Sequence, residues 1–170
     1  MRHGGGYGSA LLLVLAAVIL LRPWEAEPFS GSDAPGAAEA KVVRVVDGDT
    51  FEAQIGAVVE DVRLIGVDTP ETVKPGEPVQ CYGPQASRFA HREFEGRQVW
   101  LVFGVERRDI YDRLLAYAYI GHRILNAELL RLGLARTLAI PPNTRHSARF
   151  EQLQLQAARA GRGLWGACPP

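Results

Sequence analysis

Several shortages in this 170-residue chain narrow its class before any motif is read. It has no excess of charge, since 19 Lys and Arg residues face 19 Asp and Glu. Tight, sequence-blind binding of a polyanion by bulk electrostatics is therefore unsupported. It has two cysteines, Cys81 and Cys168, and neither has a partner at Cys-x-x-Cys spacing, which argues against a cysteine-based metal site. It lacks an internal repeat and any βαβ alternation, so solenoids and doubly wound sheets are disfavoured. What remains is 47% apolar and 22% charged residues, a composition that suits one globular domain rather than a disordered, collagen-like or multi-span chain.

The zero charge averages unlike parts. Residues 1–40 carry two basic and four acidic residues, which leaves 17 basic and 15 acidic residues for a mildly basic remainder. The amino-terminal part opens with Arg2 and His3 and runs unbroken and apolar from Ala10 to Leu21. Twelve residues are short for a bilayer core of about 30 Å but match the apolar region of an export signal. Residues 1–22 are therefore expected to be a signal peptide or a signal anchor, and 23–40 a Pro/Gly/Ala-rich linker. Ala38-Glu39-Ala40 has the form of a cleavage site but lies far beyond Leu21, whereas Gly4 to Leu21 together are long enough for an anchor. Cleaved and tethered forms both stay open, the tether running through residues 10–21. No cysteine follows the run, so lipid modification there is excluded. Either way the expected location is secreted or membrane-anchored, with the domain outside the cytoplasm. That compartment is oxidising, and a Cys81–Cys168 pair would close a long loop worth about 4 kcal/mol; two unpaired thiols are the alternative.

The domain is expected over 41–168. Lys41–Val46, Thr50–Ile55 and Val58–Val67 read as three strands separated by the turn Asp47-Gly48-Asp49 and a break at Gly56. Asp68–Val79 is a loop. Pro84 and Gln85 open a helix to about Glu95, with Ala86, Phe89, Ala90 and Phe94 on one face. Strands follow at Gln98–Val105 and Leu114–Ile120. Asn126 is expected to cap a helix over Ala127–Leu132, and a last helix spans about Ser147–Ala160. This α+β, mainly β order fits a five-stranded Greek-key barrel of the oligonucleotide-binding type with three helices. An open α+β sandwich is the alternative from pattern alone.

Two acidic clusters flank the third strand: Asp47-Gly48-Asp49-Thr50 before it, and Asp68-Thr69-Pro70-Glu71 at its end. Arg63 sits inside the apolar stretch Val62–Val67, where a guanidinium is costly unless it meets a carboxylate or a phosphate. Arg113 opens the strand that begins at Leu114. Carboxylates and backbone carbonyls suit a hard cation such as Ca²⁺ or Mg²⁺, and two guanidiniums beside it make a place for a phosphodiester. A further carboxylate can activate water. Singly, each motif reads as a turn, a helix start or a surface ion pair; their combination is what points to phosphoryl chemistry.

Val46-Asp-Gly-Asp-Thr50, Val62-Arg-Leu-Ile-Gly-Val-Asp-Thr-Pro-Glu71, Tyr82-Gly-Pro-Gln-Ala86, Asp109-Ile-Tyr-Asp-Arg-Leu-Leu-Ala-Tyr117 and Asn126-Ala-Glu-Leu-Leu-Arg-Leu-Gly-Leu-Ala135 resemble the staphylococcal nuclease family, collinearly from Lys41 to Trp165. The resemblance implies an oligonucleotide-binding barrel and Ca²⁺-dependent hydrolysis of DNA and RNA to 3′-phosphate ends; the protein is expected to be a monomer. It implies Ca²⁺ ligation by Asp49 and Asp68 and by the Thr69 carbonyl, with Asp47 a supporting acidic neighbour. Arg63 and Arg113 would bind the scissile phosphate and Glu71 would act as general base. Tyr111 and Asp109 would belong to the substrate-binding loop, Tyr111 reaching a terminal phosphate.

The departures fall on substrate contacts. Ala139-Ile-Pro-Pro-Asn143 has no aromatic ring where the family's best-known member stacks tyrosines on the nucleotide, and stacking contributes about 1–3 kcal/mol per base. The lysine-rich loop is thinned to Thr72–Pro78, and Ile110 replaces a lysine. His91, His122 and His146 read as surface residues, and Trp100 and Trp165 as packing residues. A barrel that binds nucleic acid without cutting it is the competing class. Joint presence of Asp49, Asp68, Arg63, Glu71 and Arg113 argues against it, because a binding groove has no use for three carboxylates facing phosphate. Processing of another phosphodiester stays open.

Overall fold

A computed structural model of the chain describes residues 31–72, 76 and 78–169. The expected leader, the first part of the linker and most of the thinned loop lie outside the described residues. Eight strands follow in order: β1 (Ala38–Val45), β2 (Thr50–Ile55), β3 (Val58–Leu64), β4 (Gly66–Asp68), β5 (Gln98–Arg108), β6 (Leu114–Ile120), β7 (Arg123–Ile124) and β8 (Arg136–Leu138). The helices are α1 (Gly83–Phe94), α2 (Leu125–Arg131), α3 (Ser147–Arg159) and the single turn α4 (Leu164–Ala167).

Strands β3-β2-β1-β5-β6 form an antiparallel run that a parallel β6–β3 pairing closes into a five-stranded barrel, with β7 added beyond β6. Closure leaves no long free edge within the barrel. Its interior is filled by Val42, Phe51, Val62, Leu64, Leu101 and Ala118, all essentially without exposure. Val42 and Val45 both face inward, three positions apart, because a bulge between Val42 and Arg44 shifts the period-2 alternation by one residue. Helix α1 covers one end of the barrel with the four apolar residues its spacing predicts. Phe94 meets both Phe51 and Phe89 edge-on, at centroid distances of 6.0 and 6.1 Å.

The structure departs from the sequence reading in particular places. The linker does not extend to residue 40: Gly31 and Ala34 are buried, and Ala38 already pairs with Leu101. The third strand is two strands, because Gly66 adopts φ +79°, left-handed backbone that redirects the chain, and a side chain there would also strike the Phe150 ring. The freed segment, β4, pairs antiparallel with β8, setting Asp68 opposite Arg136.

Asn126 is not a helix cap. It lies inside α2, fully buried, and its amide donates to the Ile65 and Ala116 carbonyls and accepts from Ala118 N–H. It thereby ties α2 to β6 and to the β3–β4 corner.

His146 is half-buried rather than a surface residue. It packs edge-on to Tyr117 at 4.6 Å and beside Phe150, with its Nε2 buried and unbonded among the described residues. Burial, with help from Arg145 and Arg149, pushes its pKa down to about 4. A histidine held neutral in this way adds stability above its ordinary pKa near 6.5, and that stability is lost as pH falls toward 4. Between pH 7 and pH 4.5, His146→Phe should therefore lose less stability than the parent chain in urea unfolding. Equal losses would contradict the assignment.

Cys81 and Cys168 form a disulfide, with Cα atoms 5.8 Å apart. It joins the start of α1 to the end of the described chain, where Trp165 lies under the Arg136 guanidinium at 4.5 Å.

Candidate active site

Asp49 is the buried centre of the site, 3% exposed at the start of β2. The turn that delivers it packs flush on Thr69: a Cβ on Gly48 would fall 2.6 Å from the Thr69 Cγ2, so only glycine fits. That contact lets Asp49 Oδ2 accept from both Thr69 N–H (2.6 Å) and the Thr69 hydroxyl (3.0 Å). Oδ2 also meets Arg63 Nη1 at 2.8 Å, whereas Oδ1 receives the Thr50 hydroxyl at 3.2 Å. Oδ1 thus keeps acceptor capacity for a further partner. Asp47 Oδ1 accepts the Asp49 N–H at 3.0 Å, holding the turn rather than the centre of the site.

Arg63 joins the two acidic clusters. One terminal nitrogen meets Asp49 and donates to the Val67 carbonyl at 2.9 Å; the other meets exposed Asp68 Oδ1 at 3.0 Å. Burial raises the Asp49 pKa to about 7, and the nearby Asp47 charge adds to that. Arg63 and the Thr69 donors pull the other way without cancelling the burial. A buried carboxylate in this condition gains from a second positive charge.

Among the described residues, no three His, Cys, Asp or Glu side chains converge as a metal-holding cluster. Two carboxylates and a carbonyl are nonetheless the donor set of a hard cation that keeps several waters. Asp49, Asp68 and Thr69 fit such an ion chemically, since both carboxylates meet one guanidinium and Thr69 bonds directly to Asp49.

Arg113 immediately precedes β6. The β3–β6 register pairs Arg63 with Leu115, so Arg113, two residues earlier, falls on the same face as Arg63. Both line a cavity of about 370 Å³, together with Tyr111, Leu138, Ile140 and Asn143. Arg113 is held by Asp109, whose Oδ2 meets its Nη2 at 2.7 Å and its Nε at 2.8 Å. Asp109 Oδ1 accepts the N–H groups of Tyr111 and Arg113. These bonds keep the Asp109 pKa below the usual carboxylate value despite burial, which alone would raise it. Asp109 is therefore engaged by Arg113 and the loop backbone, and as an acceptor-only group it bears on substrate by aiming Arg113. The Tyr111 ring is 73% exposed, with the Arg113 guanidinium 5.3 Å from its centroid.

Glu71 lies just beyond Thr69 on the half-buried stretch after β4. Its Oε1 accepts Thr72 N–H at 2.8 Å, and its own N–H donates to the Gln80 side chain at 3.1 Å. Gln80 carried no sequence signal, because a contact nine residues away across a loop has no period to reveal it. Leu138 went equally unmarked, whereas Ile140 belongs to the stretch 139–143 read as a departure in substrate contacts. Leu138 and Ile140 both line the cavity with aliphatic side chains, Ile140 within that stretch and Leu138 just before it.

A family model described as staphylococcal nuclease homologue matches residues 61–167. The chain is 40% identical to the thermonuclease of Staphylococcus hyicus over 162 residues, covering 92% of this chain and 96% of that one. It is also 40% identical to the thermonuclease of Staphylococcus intermedius over 160 residues, covering 92% and 95%. With the SPbeta prophage-derived endonuclease YokF of Bacillus subtilis (strain 168), identity is 37% over 124 residues, 72% of this chain and 42% of that one.

Proposed function

Because this chain belongs to the staphylococcal nuclease family and is a nuclease acting on phosphodiester bonds, we propose that it is a Ca²⁺-dependent endonuclease cutting DNA and RNA to 3′-phosphate ends. The observation that carries the reading is the Arg63 guanidinium spanning Asp49 and Asp68 on the face it shares with Arg113. When bound, Ca²⁺ would be held by Asp49, Asp68 and the Thr69 carbonyl and would neutralise phosphate charge during attack. Arg63 and Arg113 bind the non-bridging oxygens and counter the charge that grows on them. Glu71 takes a proton from the attacking water as its oxygen bonds to phosphorus; the P–O5′ bond breaks, the 5′ oxygen leaves as a hydroxyl by taking a proton from solvent, and the phosphate stays on the 3′ side. The Tyr111 hydroxyl donates to a terminal phosphate. Aliphatic Leu138 and Ile140 offer less stacking than aromatic rings, which weakens nucleotide binding rather than the chemistry.

The enzyme acts as a monomer outside the cytoplasm. The Cys81–Cys168 bond and the apolar run at 10–21 support that placement. Among the described residues, no helix is long and apolar enough to cross a membrane.

Digestion of single- and double-stranded DNA and of RNA by the full chain tests the reading, with Ca²⁺, with Mg²⁺ and with chelator. Cleavage with Ca²⁺ and its loss in chelator are expected, with 3′-phosphate and 5′-hydroxyl ends that resist ligation until a 3′-phosphatase and a 5′-kinase have both acted. Cleavage that persists in chelator, or 5′-phosphate ends, would overturn the mechanism.

A further inference from the structure

The backbone that presents Glu71 is fastened by hydrogen bonds to the segment leading into α1. Gln80 grips Glu71 from both sides: its Oε1 accepts the Glu71 N–H at 3.1 Å, and its own N–H donates to the Glu71 carbonyl at 2.9 Å. The Gln80 carbonyl in turn accepts Gly83 N–H at 3.0 Å. The helix start at Tyr82 has left-handed backbone and no side-chain cap, so its local bonds are backbone ones, the Tyr82 carbonyl accepting the Gln85 and Ala86 N–H groups. The next residue after Gln80 is Cys81, and its disulfide is a covalent anchor one residue from the grip on Glu71.

The other end of that anchor is firmly seated. Cys168 N–H donates to the Leu164 carbonyl at 3.0 Å, and Leu164 N–H donates to the Gly133 carbonyl at 2.8 Å. Trp165 lies under Arg136, the residue opposite Asp68 in the β4–β8 ladder. The tail that carries Cys168 is thus bound to the framework holding Asp68, while its disulfide reaches the segment holding Glu71.

We propose that Gln80, fixed by the Cys81–Cys168 disulfide, is a positioning residue that sets Glu71 against the Asp49–Asp68 centre. The inference rests on the assignment of Glu71 as general base. The cross-link therefore serves turnover as well as stability, and the chain works at full rate only with the bond closed. Opening it with a dithiol transfers two hydrogens: Cys81 and Cys168 become thiols, and the reagent becomes a cyclic disulfide.

The test compares kcat and KM of the full chain, oxidised and after dithiothreitol, at a temperature where circular dichroism shows the reduced chain still folded. About a tenfold fall in kcat with KM changed less than twofold is expected. Gln80→Ala, with the disulfide intact, should show the same fall and covers the case in which the reduced chain unfolds. In a Glu71→Gln background, reduction should leave the residual rate unchanged, because the group being positioned is gone. Unchanged kcat in the reduced, folded chain or in Gln80→Ala would overturn the proposal. So would an equal tenfold loss in the Glu71→Gln background. A Glu71→Gln chain that cleaves at the parent rate would instead remove the base assignment itself.

Discussion

Arg63→Lys is expected to lower the cleavage rate about a thousandfold while the chain still folds. An ammonium is a single point of charge on a flexible stem, whereas the guanidinium presents its donors in a fixed fork. Here the fork is used in full: one nitrogen on Asp49 and the Val67 carbonyl, the other on Asp68. Lysine can answer one of these partners at a time, so both the aim at phosphate and the spacing of the two acidic clusters suffer. Loss of one preorganised donor to a charge-accumulating transition state typically costs a factor of 10²–10³, and Arg63 supplies more than one. Arg63→Leu should add a stability loss of about 3 kcal/mol, because it leaves Asp49 buried without its cation. Part of that loss is relieved by protonation, since the Asp49 pKa already lies at about 7. Steady-state rates and urea unfolding at pH 7 and pH 5 measure both effects. The Arg63→Leu stability deficit should shrink at the lower pH, where Asp49 is neutral in either chain; a deficit independent of pH would contradict the pairing.

The same residues show what sequence can reveal. Arg63 stood out because a charge in an apolar strand demands a partner, and its partners proved to be the two acidic clusters quoted beside it. Helix α1 and strand β2 were legible from period alone, since each buries one face over a sufficient length. The three-residue strands β4 and β8 were not, because a ladder that short leaves no period and depends on a turn at Gly66. Asn126 misled for a related reason. A polar residue ahead of an apolar run looks like a cap, and only the approach of β6 and the β3–β4 corner shows that its amide is spent on buried backbone. His146 likewise needed its packing against Tyr117, distant in sequence, and against Phe150 to appear as a half-buried residue. At the site, the charged side chains were readable from motif. The residues that aim them, Asp109 on Arg113 and Gln80 on Glu71, emerge from the folded loops.

Glu71→Gln is expected to cut kcat by about a hundredfold to ten-thousandfold with nucleotide affinity nearly intact. The substitution keeps the size of the side chain and an oxygen able to accept Thr72 N–H, so that bond survives. What disappears is the capacity to take a proton from water, a contribution typically worth 10²–10⁴ in rate. The arginines and the Asp49–Asp68 centre are untouched, so binding of a nucleotide phosphate should persist. Single-turnover cleavage of a defined oligonucleotide under saturating Ca²⁺, parent against Glu71→Gln at matched nucleotide occupancy, therefore bears most directly on the claim that this site hydrolyses phosphodiesters with Glu71 as base. The account predicts a slowed chemical step at unchanged occupancy; equal single-turnover rates for the two chains would contradict it.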